Sequence, residues 1–381
     1  MNRSKKKAYN ILLYASSESD ADVLYATGFF CPDPFVFIRT AAGRRIMVMS
    51  DLEIGRARKQ SNAHRVLPLS RFAARAMERT GRAPGVSEII AEVLRELRIR
   101  SITVSGTAAA GLVEGLRRHK VRVSVARESL FPERMLKQPA EVNAIRKAMR
   151  DTEAGLQAGV DLLRAARIRN GWVMHDGRKL TAEELRKVIN GEVFARGCIP
   201  SHTIVAAGVR GCDPHDVGGG PIRAGQPIII DIFPRSEKSG YFADITRTFV
   251  KGSASEMVSD IYQTVLAAQR MALRMIRHDV HSRDIHGAIL DLFEARGFPT
   301  GEAKGRMQGF FHGTGHGLGL EIHEPPRIAL NDTVLKAGMV VTVEPGLYYH
   351  PIGGVRIEDT VLVTRTGIRN LTRFPKYLEI P

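Results

Sequence analysis

The alternation of apolar and polar positions already lays out most of the chain. After a basic stretch, Met1–Lys7, the first apolar run is Ile11-Leu-Leu-Tyr-Ala15, interrupted by Ser16-Ser-Glu-Ser-Asp20. It is too short to cross a bilayer, which takes about 20 residues, and too short for a signal-peptide core, so it predicts a first β-strand. Pro34–Ile38 and Arg45–Met49 are β-rich runs separated by Ala41-Ala-Gly43. Val86–Leu97 spaces its apolar residues at three and four, the period of an amphipathic helix. Ile102–Ser105, a helix around Leu112–Arg118 and Val121–Val125 then predict a β-α-β unit. A turn at Phe131-Pro-Glu133 and a charged helix from about Ala140 to Ala166 follow. The boundary therefore falls near 131, with an α/β domain over 1–131 and a second domain over 132–381.

The second domain contains an internal duplication. Arg223-Ala-Gly-Gln-Pro-Ile-Ile-Ile-Asp231 lies over Lys336-Ala-Gly-Met-Val-Val-Thr-Val-Glu344, each an apolar strand ending in a carboxylate at the same offset. A second strand with another acid follows in both: Asp244 in Phe242–Phe249, and Glu358 in Val355–Leu362. The offsets are 13 and 14 residues. Two related β-hairpins around a pseudo-twofold axis would each deliver two carboxylates.

Composition narrows the class. With 381 residues, 44% hydrophobic and 25% charged, the chain can build a large core without a metal or disulfide to hold it. Three cysteines, Cys31, Cys198 and Cys212, form no CxxC pair and suit a reducing compartment; the expected location is cytoplasmic. The net charge of +16 is unusual. The first 131 residues hold 23 Lys or Arg against 12 Asp or Glu, scattered apart from the run Lys5–Lys7. With no nucleic-acid-binding motif or aromatic interleaving beside them, they read as a solvated surface, and neither a nucleic acid nor a membrane is expected as a partner.

One ionised acid at the end of an apolar strand could pair with a neighbour such as Arg247 or Arg356. Four at matched offsets in two repeats require cations. The histidine cluster agrees. His312-Gly-Thr-Gly-His316-Gly-Leu-Gly-Leu-Glu-Ile-His323-Glu holds three imidazoles. Its glycines disfavour a zinc-protease helix, and Pro325-Pro326 leaves no room for the helix that a dinucleotide loop needs. Four carboxylates and one imidazole suit two hard-to-borderline divalent ions, manganese first, with cobalt or zinc as alternatives. Paired ions of this kind point to metal-assisted hydrolysis.

In this order, Asp231, Asp244, His316, Glu344 and Glu358 resemble the metal ligands of the M24, or pita-bread, metallopeptidases. The segment His312–Glu324 is similar to the signature of the proline-specific branch, prolidase and aminopeptidase P. Residues 10–130 resemble the creatinase/prolidase N-terminal domain. The resemblance implies an α/β N-terminal domain followed by an α+β pita-bread catalytic domain with internal pseudo-twofold duplication. It further implies that Asp244 and Glu358 bridge two ions, with Asp231 completing one, and His316 and Glu344 the other. By the same resemblance Glu344 doubles as general base, His215 approaches the substrate across the cleft, and His323 polarises the scissile carbonyl. His312 would line the pocket and Arg356 would support Glu358. In His323-Glu-Pro-Pro-Arg327 the arginine would bind the terminal carboxylate of a dipeptide. Asp231 and Asp244 stand two residues farther apart than is usual in the family, and an even insertion keeps both acids on one face.

The implied substrate is a peptide with proline at its second position, and the implied assembly a homodimer. A Xaa-Pro dipeptidase is the first reading and aminopeptidase P-type trimming of Xaa-Pro-Yaa peptides the alternative. A non-enzymatic binding protein or a metal-free creatinase-like hydrolase would not need the five ligands. A methionine aminopeptidase would not need the N-terminal domain or the His323-Glu-Pro-Pro segment. His202 reads as an ordinary polar strand-end histidine and His350 as a loop histidine. Trp172 lies in a segment, Arg169–Leu180, longer than the family usually carries, either a surface elaboration or a dimer contact.

Overall fold

The structure, a computed structural model, describes residues 9–381; the basic stretch Met1–Lys7 lies outside the described residues. The chain divides into two compact units between Arg134 and Met135.

The first unit is built on six strands: β1 (Ile11–Ala15), β2 (Phe35–Arg39), β3 (Arg45–Met49), β4 (Arg65–Pro68), β5 (Ser101–Val104) and β6 (Arg122–Val125), in the order β4-β3-β2-β1-β5-β6. Strand β2 runs against the other five. Because side chains alternate faces, Leu12, Val36, Ile38 and Val48 form one core with the helices Leu69–Thr80, Val86–Glu96 and Ala110–Arg118. Ile11, Leu13, Phe35, Phe37 and Met47 form the other, against the helices Ala21–Thr27 and Ile54–Gln60 and against Leu130 and Phe131. The polar run after β1 ends the strand by starting a helix, since the Asp20 carboxylate accepts from Val23 N at 2.8 Å.

The second unit opens with α1 (Pro139–Ala165), whose first turn is closed by Glu141 accepting from Gln138 N, and α2 (Ala182–Ala195). Strands β7 (Ile204–Ala207), β8 (Pro227–Ile232) and β9 (Ile245–Lys251) pair antiparallel, and Glu379–Ile380 adds parallel to β9. Two further helices, α3 (Glu256–Met275) and α4 (Ser282–Ala295), precede a second sheet. Its strands are β10 (Gly315–Gly317), β11 (Glu324–Ile328) and β12 (Val340–Val343), followed after a separate hairpin, β13 (Gly346–Tyr349) and β14 (Gly353–Arg356), by β15 (Asp359–Val363) and β16 (Ile368–Asn370). Leu156, Leu163 and Leu185 cover the first sheet, Ile261, Val265 and Ile289 the second. The duplication thus extends from the acid-bearing strands to the helix pair that covers them.

The acid-bearing strands do pair, β8 with β9 and β12 with β15, but neither pair is a simple hairpin. The first connection carries a short ribbon in which Arg235 bridges to Phe242, and the second carries the β13–β14 hairpin. In the first pair Asp231 stands opposite Thr246, which places Asp244 two rungs beyond Asp231 and on its face of the ladder. In the second, the last rung is Val343 opposite Asp359, and Glu344 and Glu358 flank it. The repeats are stitched together where the acids lie: Glu358 N donates to Thr246 O at 3.0 Å and Thr360 Oγ1 to Asp244 O at 2.9 Å.

Strand β10 sits between β11 and β12, and only glycine on either side of His316 permits this spacing. A Cβ at Gly315 would overlap the Thr342 carbonyl, and one at Gly317 the Pro325 carbonyl. Gly315→Ala is expected to lower unfolding free energy by about 1–3 kcal/mol or more. An unchanged urea midpoint would show that β10 has slack to move.

Candidate metal centre and substrate cleft

Asp231 is the last residue but one of β8, Asp244 precedes β9, Glu344 follows β12 and Glu358 precedes β15, so all four sit at or beside the strand ends where the backbone ladder stops. Asp231, Asp244, His316 and Glu358 are buried. His316 Nε2 is 3.5 Å from Asp244 Oδ2 and 3.3 Å from Glu344 Oε1. One donor atom each from Asp244, His316 and Glu358 lies within 4.8 Å of the others.

Two observations fit this set to a cation. Asp231 Oδ1 and Glu358 Oε1 are buried without a hydrogen-bond partner, a costly arrangement for a carboxylate unless something positive is supplied. The His316 Nδ1 faces the Gly317 carbonyl at 3.1 Å. A carbonyl only accepts, so the proton is on Nδ1 and the Nε2 lone pair points at the acids. Burial, reinforced by His323, lowers the His316 pKa to about 3, which keeps the ring neutral. Burial and then Asp231 raise Glu344 to about 7, against the opposing pull of Arg356. Asp244 and Glu358 are also pushed well up, by burial first and then by the neighbouring acids. This is how carboxyl groups behave when crowded together for a positive ion.

The surrounding bonds aim the acids. Arg356 donates to Asp231 Oδ2 at 2.7 Å and, from Nη1, to the Tyr348 hydroxyl at 2.9 Å. That hydroxyl reaches His312 Nε2 at 2.8 Å, while His312 Nδ1 donates to Gly313 O at 2.8 Å. His312 is neutral too, its pKa lowered to about 3 by burial and then by Arg356. Thr246 Oγ1 donates to Glu358 Oε2 at 2.8 Å. Arg247 touches none of these acid side chains: it is buried against Asp359 at 2.9 Å and reaches the centre only through the Glu358 carbonyl.

These groups open onto one cleft of about 810 Å³ that also contains His215, His323 and Arg327. Strand β11 explains two of them. Its buried positions are Glu324, Pro326 and Ile328, so Arg327 points outward with its strand neighbours exposed on the same face, and His323 precedes it in the same phase. Glu324 is held from behind by a buried ion pair with Lys137. The His323 and His316 rings meet edge-on at 4.4 Å. His215 is exposed, on a loop shaped by the Arg210–Asp216 ion pair at 2.7 Å. Every site residue expected from the sequence lies around this cleft. Thr246 was not foreseen because its partner, Glu358, lies in the other repeat; Tyr348, whose partners His312 and Arg356 lie in its own repeat, and the apolar wall of Ile204, Phe233 and Phe311 are marked by no spacing rule. His202 and His350 are exposed and do not line the cleft. Trp172 is half-buried in a small three-stranded ribbon, its ring between Lys179 Nζ at 4.0 Å and Arg223 at 4.1 Å.

Comparison with known proteins gives the same picture. The Xaa-Pro dipeptidase of Pyrococcus horikoshii is 32% identical over 287 residues, 74% of this chain and 75% of that one. The prolidase from Pyrococcus furiosus superposes with a TM-score of 0.78 at 27% identity, over 96% and 97% of the two chains. The X-Pro aminopeptidase from Thermotoga maritima shares the fold, with a TM-score of 0.81 at 23% identity over 98% of each. The N-terminal unit is thus followed by a pita-bread domain, and residues 143–365 match metallopeptidase family M24, to which this chain belongs.

Proposed function

We propose that the protein is a Xaa-Pro dipeptidase that works with two divalent cations, manganese first. The observation that carries this reading is a single cleft joining the five-residue donor set, with its orphaned carboxylate oxygens, to Arg327. Asp244 and Glu358 would be shared by both ions, Asp231 would complete one, and His316 with Glu344 the other. When bound, the ions supply Lewis acidity to water and to the scissile carbonyl.

The chain's own residues would do the rest. Glu344, with a pKa near 7, accepts the proton of the attacking water and returns it to the proline nitrogen. His323 donates to the carbonyl oxygen as it gains charge, and His215 faces the substrate from its loop. The neutral His312, fixed by Tyr348 and the Gly313 carbonyl, lines the pocket. Arg356 orients Asp231, and Arg327 reads the free carboxylate of the dipeptide with its planar fork.

The test compares a Xaa-Pro dipeptide with a Xaa-Pro-Yaa tripeptide after metal stripping and manganese or cobalt reconstitution, following release of the first amino acid. Turnover of the tripeptide in preference to the dipeptide would replace the dipeptidase reading with aminopeptidase P-type trimming. Arg327→Ala is expected to cost roughly 10- to 100-fold in kcat/KM on the dipeptide, mostly through KM, the worth of a charge-assisted hydrogen bond. It should leave a tripeptide far less affected. Equal losses on both substrates would remove Arg327 from carboxylate recognition.

We further assign residues 1–131 as a creatinase/prolidase-like domain, a homodimer as the working assembly, and the cytoplasm as its location. Supporting the last, all three cysteines are unpaired. Among the described residues no helix is long and apolar enough to cross a membrane.

A further inference from the structure

The cations that look scattered in the first 131 residues are gathered by the sheet. Five of its six strands run one way, so their N-terminal ends, with the C-terminal end of β2, form one rim. The β2–β3 turn brings Arg39, Arg44 and Arg45 there, and β4 begins with Arg65. The two helix-to-strand turns that enter β5 and β6 repeat one pattern, Arg98-Ile-Arg100 and Lys120-Val-Arg122. The first cation of each turn has left-handed backbone, φ 57° and 62°. The turns lie side by side, with Arg122 N donating to Arg100 O at 3.0 Å. All four of these cations are exposed, as are Arg44 and Arg65.

Few acids share this rim: Glu128 and Glu133, from the segment after β6, line a pocket with Arg39 and Gly43. Among the described residues, the segments forming this rim, 39–45, 61–65, 97–100 and 119–122, contain no Asp or Glu. Arg39 reaches Glu133 at 3.1 Å and Arg65 reaches Glu96 at 3.7 Å, both acids from outside these segments. The opposite rim holds Glu18, Asp20, Asp33, Asp51 and Glu53. The sheet is therefore charge-polarised along its strands.

From this placement we propose that the basic rim is a binding surface for the phosphodiester backbone of a nucleic acid, independent of sequence. Four arguments favour that occupant. The cations follow a line across six strands, roughly 24 Å at the usual strand spacing, which suits a linear polyanion. Seven of the eight are arginine, whose planar fork matches phosphate oxygens. Among the described rim residues, Tyr9 at the start of β1 is the sole large exposed apolar side chain, which leaves little to anchor a lipid surface. The rim also lacks the aromatic rows that read single-stranded bases, so binding is to backbone charge alone.

The experiment uses the full chain and a fluorescein-labelled 24-base-pair duplex, with binding followed by anisotropy from 50 to 300 mM KCl. Vesicles of phosphatidylserine and phosphatidylcholine provide the lipid arm. Wild-type binding should weaken steeply with salt. The rim variant Arg98→Glu/Arg100→Glu/Lys120→Glu/Arg122→Glu should bind at least 10-fold more weakly at 100 mM KCl. Its log–log salt slope should be flatter by roughly one for each phosphate no longer neutralised, so by up to about four. The control, Lys304→Glu/Arg306→Glu/Arg365→Glu/Arg369→Glu, makes the same change in net charge at exposed residues of the other unit and should bind like wild type. Circular dichroism melts identify a rim variant that has lost its fold, in which case Arg98→Gln/Arg122→Gln is read instead. Equal weakening by rim and control variants overturns the proposal, since net charge alone would then be acting. So does wild-type binding that ignores salt, or binding to vesicles without binding to the duplex.

Discussion

Glu358→Gln is expected to lower kcat/KM on a Xaa-Pro dipeptide by more than about 100-fold, beyond the 10- to 100-fold typical of residues that only orient a metal ligand. Its carboxylate has one oxygen on Thr246 and one with no partner in the protein, so an amide can keep the first bond but cannot fill the second role. Metal content after manganese loading, measured by elemental analysis, should fall in parallel. Full metal content with full activity would remove Glu358 from the centre. Stability of the metal-stripped protein should move the other way. Burial and the neighbouring acids hold the Glu358 and Asp244 pKa values above their unfolded values, and Glu344 rises to about 7. Groups with raised folded pKa favour the folded state below their unfolded values, near pH 4. That advantage is lost as pH rises through the folded values. The stripped enzyme should therefore lose unfolding free energy between about pH 4 and pH 7, and Glu358→Gln should reduce the loss. Manganese at saturation should abolish it. A stripped wild type whose urea midpoint is flat across that window would contradict the crowding of these acids.

The largest stability effect is expected from Asp359→Ala. Arg247 and Asp359 are each 1% exposed and meet at 2.9 Å. Asp359 also accepts from Asn370 at 2.7 Å and pairs with Lys376. The guanidinium of Arg247 further donates to the carbonyls of Thr246, Phe374 and Pro375. Removing one member of a buried pair leaves an uncompensated charge, at a cost of about 3–5 kcal/mol. For a unit of this size that is roughly 6–20 °C in Tm. Replacing both members, Arg247→Met with Asp359→Leu, should restore only part of the loss, because the Arg247 charge is no longer stranded while Lys376 and the carbonyls of Thr246 and Phe374 still lose a partner. If the double variant melts as low as Asp359→Ala, the destabilisation arises from packing rather than charge. Activity should drop with Asp359→Ala even at temperatures where the protein is folded, because Arg247 also holds the Glu358 carbonyl.

How much of this could be read in advance differs between the two units. In the N-terminal unit β1 and β3 appear where short apolar runs meet polar interruptions, because strand period and turn chemistry are local. The polarity of its sheet was not legible. Arg44, Arg65, Arg100 and Arg122 are far apart along the chain and become neighbours only because β3, β4, β5 and β6 start at one edge. In the C-terminal unit the acids could be found through repetition, Asp231 and Glu344 at equal offsets from two Ala-Gly turns and Asp244 and Glu358 at offsets one residue apart. Even so, the connections between paired strands turned out to hold ribbons of their own.

By itself the sequence determined which residues are candidates for the proposed chemistry. Asp231, Asp244, His316, Glu344 and Glu358 stand in a fixed order at the ends of apolar strands, and glycines around His316 exclude a helix, all consequences of local backbone and burial preferences. Only the tertiary structure decided which oxygens remain without partners, that Arg356 serves Asp231 while Arg247 serves Asp359, and that Tyr348 joins His312 to Arg356. The pairings of Arg356 and Arg247 depend on where two repeats over a hundred residues apart come to rest against each other, and that of Tyr348 on how the segments around His312 and Arg356 pack within the second. No local pattern encodes that meeting, because the hydrogen bonds that create it form only when both halves are folded.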